Sequence, residues 1–298
     1  MAKTATTREN TIEIVPLDQE EVTFCLLGIT PFYCNRVAAK AKRELLLPRI
    51  GRMTQAQRAD NLKHDPENEY RDSPYLRRHD GPTRIMMKAT AIKGAIGQAA
   101  IDTPSAVAKA QIDRLVYIVG RETDEGLHEE FIDIWGVPRL NMEVVRMADI
   151  GRTPDIRTRA KIYPWATRVT VRFTRPMLTD TKVATLLANA GMMCGIGDFR
   201  QQKGKGSNGL YQLVADDDPR YLRVIETGGL LHQDEALANP VCSDPETEEL
   251  LAWYQEEILR RRQQPSRPVG ARRRRTGDDE APVLVPHQPN GEAHEAVE

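Results

Sequence analysis

The stretch "GMMCGIGDFRQQKGKGSNGLYQLV" spans Gly191–Val214, and its reading decides the fold around it. It holds six glycines and a run of long polar side chains, Arg200, Gln201, Gln202 and Lys203, with Lys205 just beyond. It then enters Leu210–Val214, which reads as a strand. Upstream, "TDTKVATLLANAG" predicts a helix. Thr179 or Asp180 can cap its start, Val183, Leu186, Leu187 and Ala190 form an apolar stripe, and Gly191 is expected to end it. The loop therefore runs from helix to strand. A P-loop runs the other way and needs G-x-x-x-x-G-K-[ST]. In the frame set by Gly204 and Lys205, Phe199 stands at the first glycine and Gly206 at the hydroxyl residue. Nucleotide binding of the Walker or dinucleotide-fold kind is thereby rejected. Exposed backbone N–H groups beside Arg200, Lys203 and Lys205 could hold phosphates without it. A plain flexible connection has the same composition.

Working outward, "ATRVTVRF" (166–173) alternates cleanly. Val169, Val171 and Phe173 share one face, and Arg168, Thr170 and Arg172 the other. "TIEIVPL" and "EVTFCLLGI" read as strands, and 35–47 as a helix with Arg36, Lys40 and Arg43 on one side. "IMM" reads as a short strand. Ala89–Ala100 reads as a small-residue helix, with Lys88 ahead of it and Lys93 in its first turns. Such a helix suits close approach of another chain, and equally a tight core. Leu115–Val119 reads as a strand, 126–147 as further strand and turn, 149–165 as irregular and Arg-rich, and 215–242 as loop. The segment 245–262 reads as a helix capped by Ser243 or Asp244, acidic at its start and arginine-rich at its end. Strands mixed with helices between non-adjacent strands indicate an α+β sheet with one helical face.

Composition sets the bounds. A chain of 298 residues with 40% hydrophobic content can build a core, mostly aliphatic because aromatics are 5%. No run of eighteen apolar residues occurs, and "MAKTATTRENT" lacks a signal-peptide core, so a cytoplasmic protein is expected. Cys25, Cys34, Cys194 and Cys242 show no metal spacing and read as reduced thiols. A tail over 263–298, rich in Pro, Gly and charge and containing Arg272–Arg275, is expected to be disordered.

The net charge of −1 conceals an asymmetry. Between Arg139 and Arg175 there are nine cations and three anions, with Tyr163 and Trp165 interleaved. Cations that track phosphates and aromatics that stack on bases suit a single strand. A solvated sheet face would look similar. Catalytic constellations are poor. His64 and His79 share a polar insertion (about 49–84) with Asp65, Asp72 and Asp80, the one place where metal or acid–base chemistry could gather.

Three segments together resemble the RAMP superfamily, the RRM-like backbone proteins of CRISPR ribonucleoprotein effectors. They are "FCLLGITPFYCNRVAAKAKR", "MMKATAIKGAIGQAA" with its Thr90, Lys93 and Gly94, and the final strand–helix–glycine loop–strand. Gly195, Gly197, Gly204, Gly206 and Gly209 stand where that family has its glycine-rich loop. The likeness covers roughly residues 20–215. Met86-Met87-Lys88-Ala89 departs from the family's Pro-Gly-Ser tendency, and the cleaving aspartate of some members has no clear counterpart.

The resemblance implies a ferredoxin-like, RRM-like core over 1–242, a finger-like insertion, a thumb-like segment at 139–165 and a separate helix at 243–262. It implies a non-catalytic protein of antiviral defence, without metal or cofactor, that binds single-stranded RNA, or DNA, oligomerises along it and joins other effector subunits. The expected phosphate contacts are Arg36, Lys40, Lys88, Lys93, Arg146, Arg157, Arg159, Arg200, Lys203 and Lys205, with Tyr163 and Trp165 stacking. The competing readings are a single-stranded-DNA-binding or assembly protein of a phage or mobile element, and a metal-dependent ribonuclease using acids at 60–80.

Overall fold

The computed structural model describes residues 17–37, 42, 46, 64–103, 107–120, 130–146, 154–203 and 206–263; for Arg146, Lys203, Arg262 and Gln263 it describes the backbone alone. Residues 11–16 of the first predicted strand, Lys40, Gly204, Lys205 and the tail beyond 263 lie outside these residues. Of the helix expected at 35–47, Asn35, Arg36 and Val37 are described and are not helical, Lys42 and Leu46 are described and are helical, and the other residues lie outside the described ones.

In chain order the elements are β1 (Asp18–Gly28), β2 (Phe32–Tyr33), α1 (Pro66–Asp72), β3 (Tyr75–Leu76), β4 (Ile85–Lys88), α2 (Ala89–Asp102), α3 (Lys109–Leu115), β5 (Val116–Val119) and β6 (Phe131–Asp133). Then follow β7 (Pro138–Arg146), β8 (Pro154–Ile162), β9 (Ala166–Arg175), α4 (Asp180–Met193), a 3-10 turn (Gln201–Lys203), β10 (Tyr211–Val214), α5 (Pro219–Thr227), α6 (Leu230–Ala238) and α7 (Pro245–Gln263). The chain divides into two units, Met1–Tyr254 and Gln255–Glu298.

The main sheet has the order β10-β1-β9-β5, every neighbour antiparallel. Numbered by their place in the chain, these four strands read fourth, first, third, second. Helix α2 lies between the first and second strands in sequence, and α4 between the third and fourth.

The alternation of β9 sets the core. Val171 sits between Val22 and Ile118, and Phe173 beside Val116, so apolar rungs cross three strands. They pack under Ile92 and Ile96 of α2 and Val183, Leu186 and Leu187 of α4. Each such side chain contributes about 1.5–3 kcal/mol relative to exposure.

The opposite face shows what the β9 arginines do. Arg172 forms an ion pair with Glu21 of β1, with 2.6 Å between Nε and Oε1, and lies 5.7 Å from the ring centre of Tyr117 on β5. Thr23 and Thr170 share a hydrogen bond of 2.8 Å. These are cross-strand pairs of a partly solvated sheet. Helix α5 covers the far end of this face, where Tyr221 and Val224 meet Cys25, Leu27 and Ala166.

Two smaller antiparallel sheets, β2-β8-β7 and β3-β4-β6, complete the body. The segment 126–147, expected as strand and turn, contains β6 and β7, whereas 149–165, expected to be irregular, supplies β8; β7 and β8 form a hairpin paired from Pro138↔Ile162 to Arg146↔Pro154. Cross-strand bonding holds its polar sequence in register. The region 215–242, expected to be loop, contains α5 and α6. Asp218 caps α5 by accepting from Arg220 N at 2.8 Å. Helix α4 begins as expected, with Thr179 accepting from Lys182 N, but continues past Gly191 to Met193. Asp244 caps α7 through Thr247 N at 2.9 Å. All four cysteines are free thiols. Among the described residues, no helix is long and apolar enough to cross a membrane.

Candidate nucleic-acid interface

A groove of about 290 Å³ forms where three distant segments converge. The chain after β2 supplies Cys34 and Asn35, the β4–α2 junction supplies Lys88, Thr90 and Ala91, and the glycine-rich loop supplies Gly197 and Arg200. Ser73 and Tyr75 complete the rim, over a floor of Phe32, Met86 and Met87.

The start of α2 is unusual electrostatically. Lys88 is its N-cap residue, no side chain caps it, and its first turn carries no acid. Ala89 N donates to Glu130 O at 2.7 Å. The N–H groups of Thr90 and Ala91 fall in the turn where a helix supplies no acceptor. An uncapped helix start beside a lysine favours an anion. Lys88 Nζ lies 3.6 Å from Glu130 Oε2 and 5.9 Å from the ring centre of Tyr75.

Arg200 faces this helix start across the groove. Its Nη1 reaches Gly197 O at 3.4 Å, while Nε is out of solvent with no partner among the described residues. A buried guanidinium donor without an acceptor is costly, and an incoming oxyanion would satisfy it. Cys34 is fully buried. Burial pushes its thiol up to about 12, against the opposing pull of Arg159, so it stays protonated at neutral pH.

The glycine-rich loop is pinned to β2. Gly197 has φ +84°, and a Cβ there would lie 2.9 Å from Tyr33 O and 3.0 Å from the Phe32 ring. Only glycine lets the backbone pass so close in that conformation. Gly195 and Gly209 also have positive φ, +66° and +68°. Arg159 of β8 holds the same loop from below. It is 5% exposed, pairs with Glu143 at 2.9 Å and with Asp198, and lies 5.1 Å from the ring centre of Tyr33. Tyr33 OH donates to Glu143 Oε1 at 2.7 Å. Burial first, and that bond second, raise the Tyr33 hydroxyl well above its ordinary range.

A second groove, of about 480 Å³, adjoins the same loop. It is lined by Tyr33, Met142, Glu143, Val144, Ile156, Phe199, Asn208, Glu246 and Leu250.

The residues expected from sequence are thus dispersed. Lys88 and Arg200 meet in the first groove. Arg36 adjoins it, its N–H donating to Ser73 O at 2.8 Å. Arg157 is 62% exposed at its side chain and 3.9 Å from Asp198. Lys93 lines neither groove and donates to Asp113 O at 2.9 Å. Tyr163 is exposed.

Two expectations are corrected. Trp165 is fully buried, donates Nε1–H to Thr30 O at 2.8 Å and packs against Phe32, so it has no free face for a base. Arg159 is buried and neutralised by two carboxylates, so it positions the loop rather than meeting a phosphate.

In the polar insertion, Asp65 caps α1 through Asn68 N at 3.3 Å. His64 lies 3.0 Å from both Glu69 and Asp155. Among the described residues, no three His, Cys, Asp or Glu side chains converge as a metal site. Sequence reasoning missed Asn35, Ser73, Tyr75 and Phe199. Their types carry no signal apart from the fold.

No family model matches the sequence, and no curated protein matches it. The chain is similar to the solved structure of Cmr6 from Pyrococcus furiosus, at 11% identity over 66% of this chain and 98% of that one, with a TM-score of 0.30. It is also similar to a chain of the Type III-B Cmr-beta complex bound to cognate target RNA, at 12% identity over 66% of this chain and 59% of that one, again with a TM-score of 0.30.

Proposed function

We propose that this protein binds single-stranded nucleic acid, RNA in preference to DNA, as a non-catalytic backbone-type subunit built on a ferredoxin-like core. The observation that carries the reading is the meeting of Lys88, the uncapped start of α2 and the unpartnered Nε of Arg200 at one groove. Those three elements are donors and positive ends, and together they suit a phosphate. The strand order fourth-first-third-second, with helices after the first and third strands, supports the ferredoxin-like reading. Oligomerisation along the strand, partner effector subunits and a cytoplasmic setting follow from the same proposal through the RAMP resemblance.

The experiment is fluorescence anisotropy with matched RNA and DNA single strands across a salt series, on wild type and on Lys88→Glu and Arg200→Glu. Each reversal is expected to weaken binding about tenfold or more for every sequence. Removing one cation from the phosphate track should reduce the salt slope by about 0.7. Unchanged affinity and slope in both variants would remove the groove from the reading.

A further inference from the structure

Phe199 is the feature that phosphate binding leaves unexplained. It sits in the turn that separates the two grooves. Gly197 and Arg200 line the first, and Phe199 lines the second. It is the one non-glycine residue among the described positions with positive φ, at +50°, a conformation that a bulky side chain adopts only under constraint. The constraint is visible. Phe199 N donates to Asp198 Oδ1 at 3.0 Å, Phe199 O accepts from Asn208 N at 3.3 Å, and Asp198 is itself fastened by Arg159. Gly206 lies so close to the Phe199 carbonyl that a Cβ would come within 1.7 Å of its oxygen. The backbone is thus clamped from both sides, yet Phe199 as a residue is 57% exposed. The fold holds a strained residue in place and buries less than half of it, so the ring gains little from folding and is free to meet a ligand.

We propose that Phe199 is a base-stacking residue, taking the face of a nucleobase whose chain crosses from the first groove to the second. This rests on the single-strand reading above and adds where a base goes. A phosphate at Lys88 and Arg200 places the sugar-phosphate chain beside the turn, and the ring next in line is Phe199. Asn208, which lines the same groove, offers an amide donor and acceptor to a base edge. Arg157, exposed on the adjoining hairpin, supplies a further cation. An aromatic platform beside a cationic track is how single strands are held without sequence preference.

The test uses full-length protein and single-stranded oligonucleotides carrying one 2-aminopurine, stepped along the sequence. Wild type should quench the probe at particular positions. Phe199→Ala keeps the same backbone demand and should abolish that quench, with affinity reduced about ten- to a hundredfold, the effect of one base–aromatic stack. Its salt slope should be unchanged. Phe199→Trp should restore both readouts, and Phe199→Leu, which keeps the bulk without the π face, should not. Leu also serves if the Ala variant fails to fold. Equal binding and equal quench in wild type, Ala and Leu variants would overturn the stacking role and leave the groove reading standing. Failure of wild type to bind any single strand would instead overturn the groove reading itself. Loss of self-association in Phe199→Ala without nucleic acid, with binding intact, would assign the ring to a protein contact and overturn the proposal.

Discussion

Charge type alone does not report burial, and β8 shows the consequence. Arg157 and Arg159 lie two apart on one strand and look equivalent in sequence. The structure makes Arg157 a surface cation and Arg159 a buried anchor between Glu143 and Asp198. Nothing in the sequence said which acid each would meet, because both partners come from other segments. Likewise Trp165 lies in a run of cations yet fills the core between Phe32 and Tyr211. Two outcomes follow in urea titrations. Arg159→Ala should cost about 1–3 kcal/mol. This is below the range for breaking a fully buried pair, since Glu143 and Asp198 keep about a third of their side-chain exposure. Arg157→Ala should stay within about 0.5 kcal/mol of wild type. Equal losses at the two sites would contradict the division of roles.

Elements with strong periodicity or good caps were legible in the sequence: β9, α4 and α7 stand close to where alternation and capping residues put them, and α2 where its run of small residues does. The returning hairpin strand β8 and the nine-residue helices α5 and α6 were not. The hairpin draws its stability from cross-strand pairing, and short helices depend on tertiary contact. Gln233 of α6 illustrates that dependence. It is fully buried; its Oε1 accepts from Arg84 N and Ile85 N, both at 2.8 Å, and its Nε2 donates to Ile134 O, Gly136 O and Gly228 O at 2.8–3.0 Å. Replacing it with Leu removes the partner of Arg84 N, Ile85 N, Ile134 O and Gly136 O, while Gly228 O keeps the Gly136 N–H. Gln233→Leu should destabilise by at least about 3 kcal/mol in urea titrations, since each buried unsatisfied group costs about 1–3 kcal/mol; a loss under 1 kcal/mol would show that water or a shift of α6 replaces it.

Helix α5 makes a pH prediction at the same scale. The Arg220 side chain first, with backbone N–H groups assisting, lowers the Asp218 carboxyl from 3.8 to about 2. A carboxylate whose folded value is depressed stabilises above its unfolded value and loses that effect as pH falls through the folded one. Protection of α5 in hydrogen exchange should therefore decline between about pH 4 and pH 2. Asp218→Asn, which keeps a capping oxygen but cannot titrate there, should flatten the decline; an identical decline in the variant would assign it to another group.

For the whole molecule, the decisive relations are between segments that the chain keeps far apart. The four-strand order brings the glycine-rich loop beside β2, and the β4–α2 junction arrives through a different sheet. The three segments were each readable as strand, helix start and loop. That they share one groove was not legible, because convergence depends on packing that no local pattern encodes. If the groove is one site, Lys88 and Arg200 act on the same stretch of ligand and their effects on binding cannot be independent. A double-mutant cycle with Lys88→Ala and Arg200→Ala should give a coupling of about 0.5–3 kcal/mol in single-strand affinity. The same cycle with Lys93→Ala in place of Arg200→Ala should be additive within about 0.5 kcal/mol, since Lys93 lies outside both grooves and is held by the Asp113 carbonyl. Strong coupling to Lys93 would move the ligand's path onto the outer surface of α2 and α3. Additivity between Lys88 and Arg200 would mean that the two cations meet different parts of the ligand, or none.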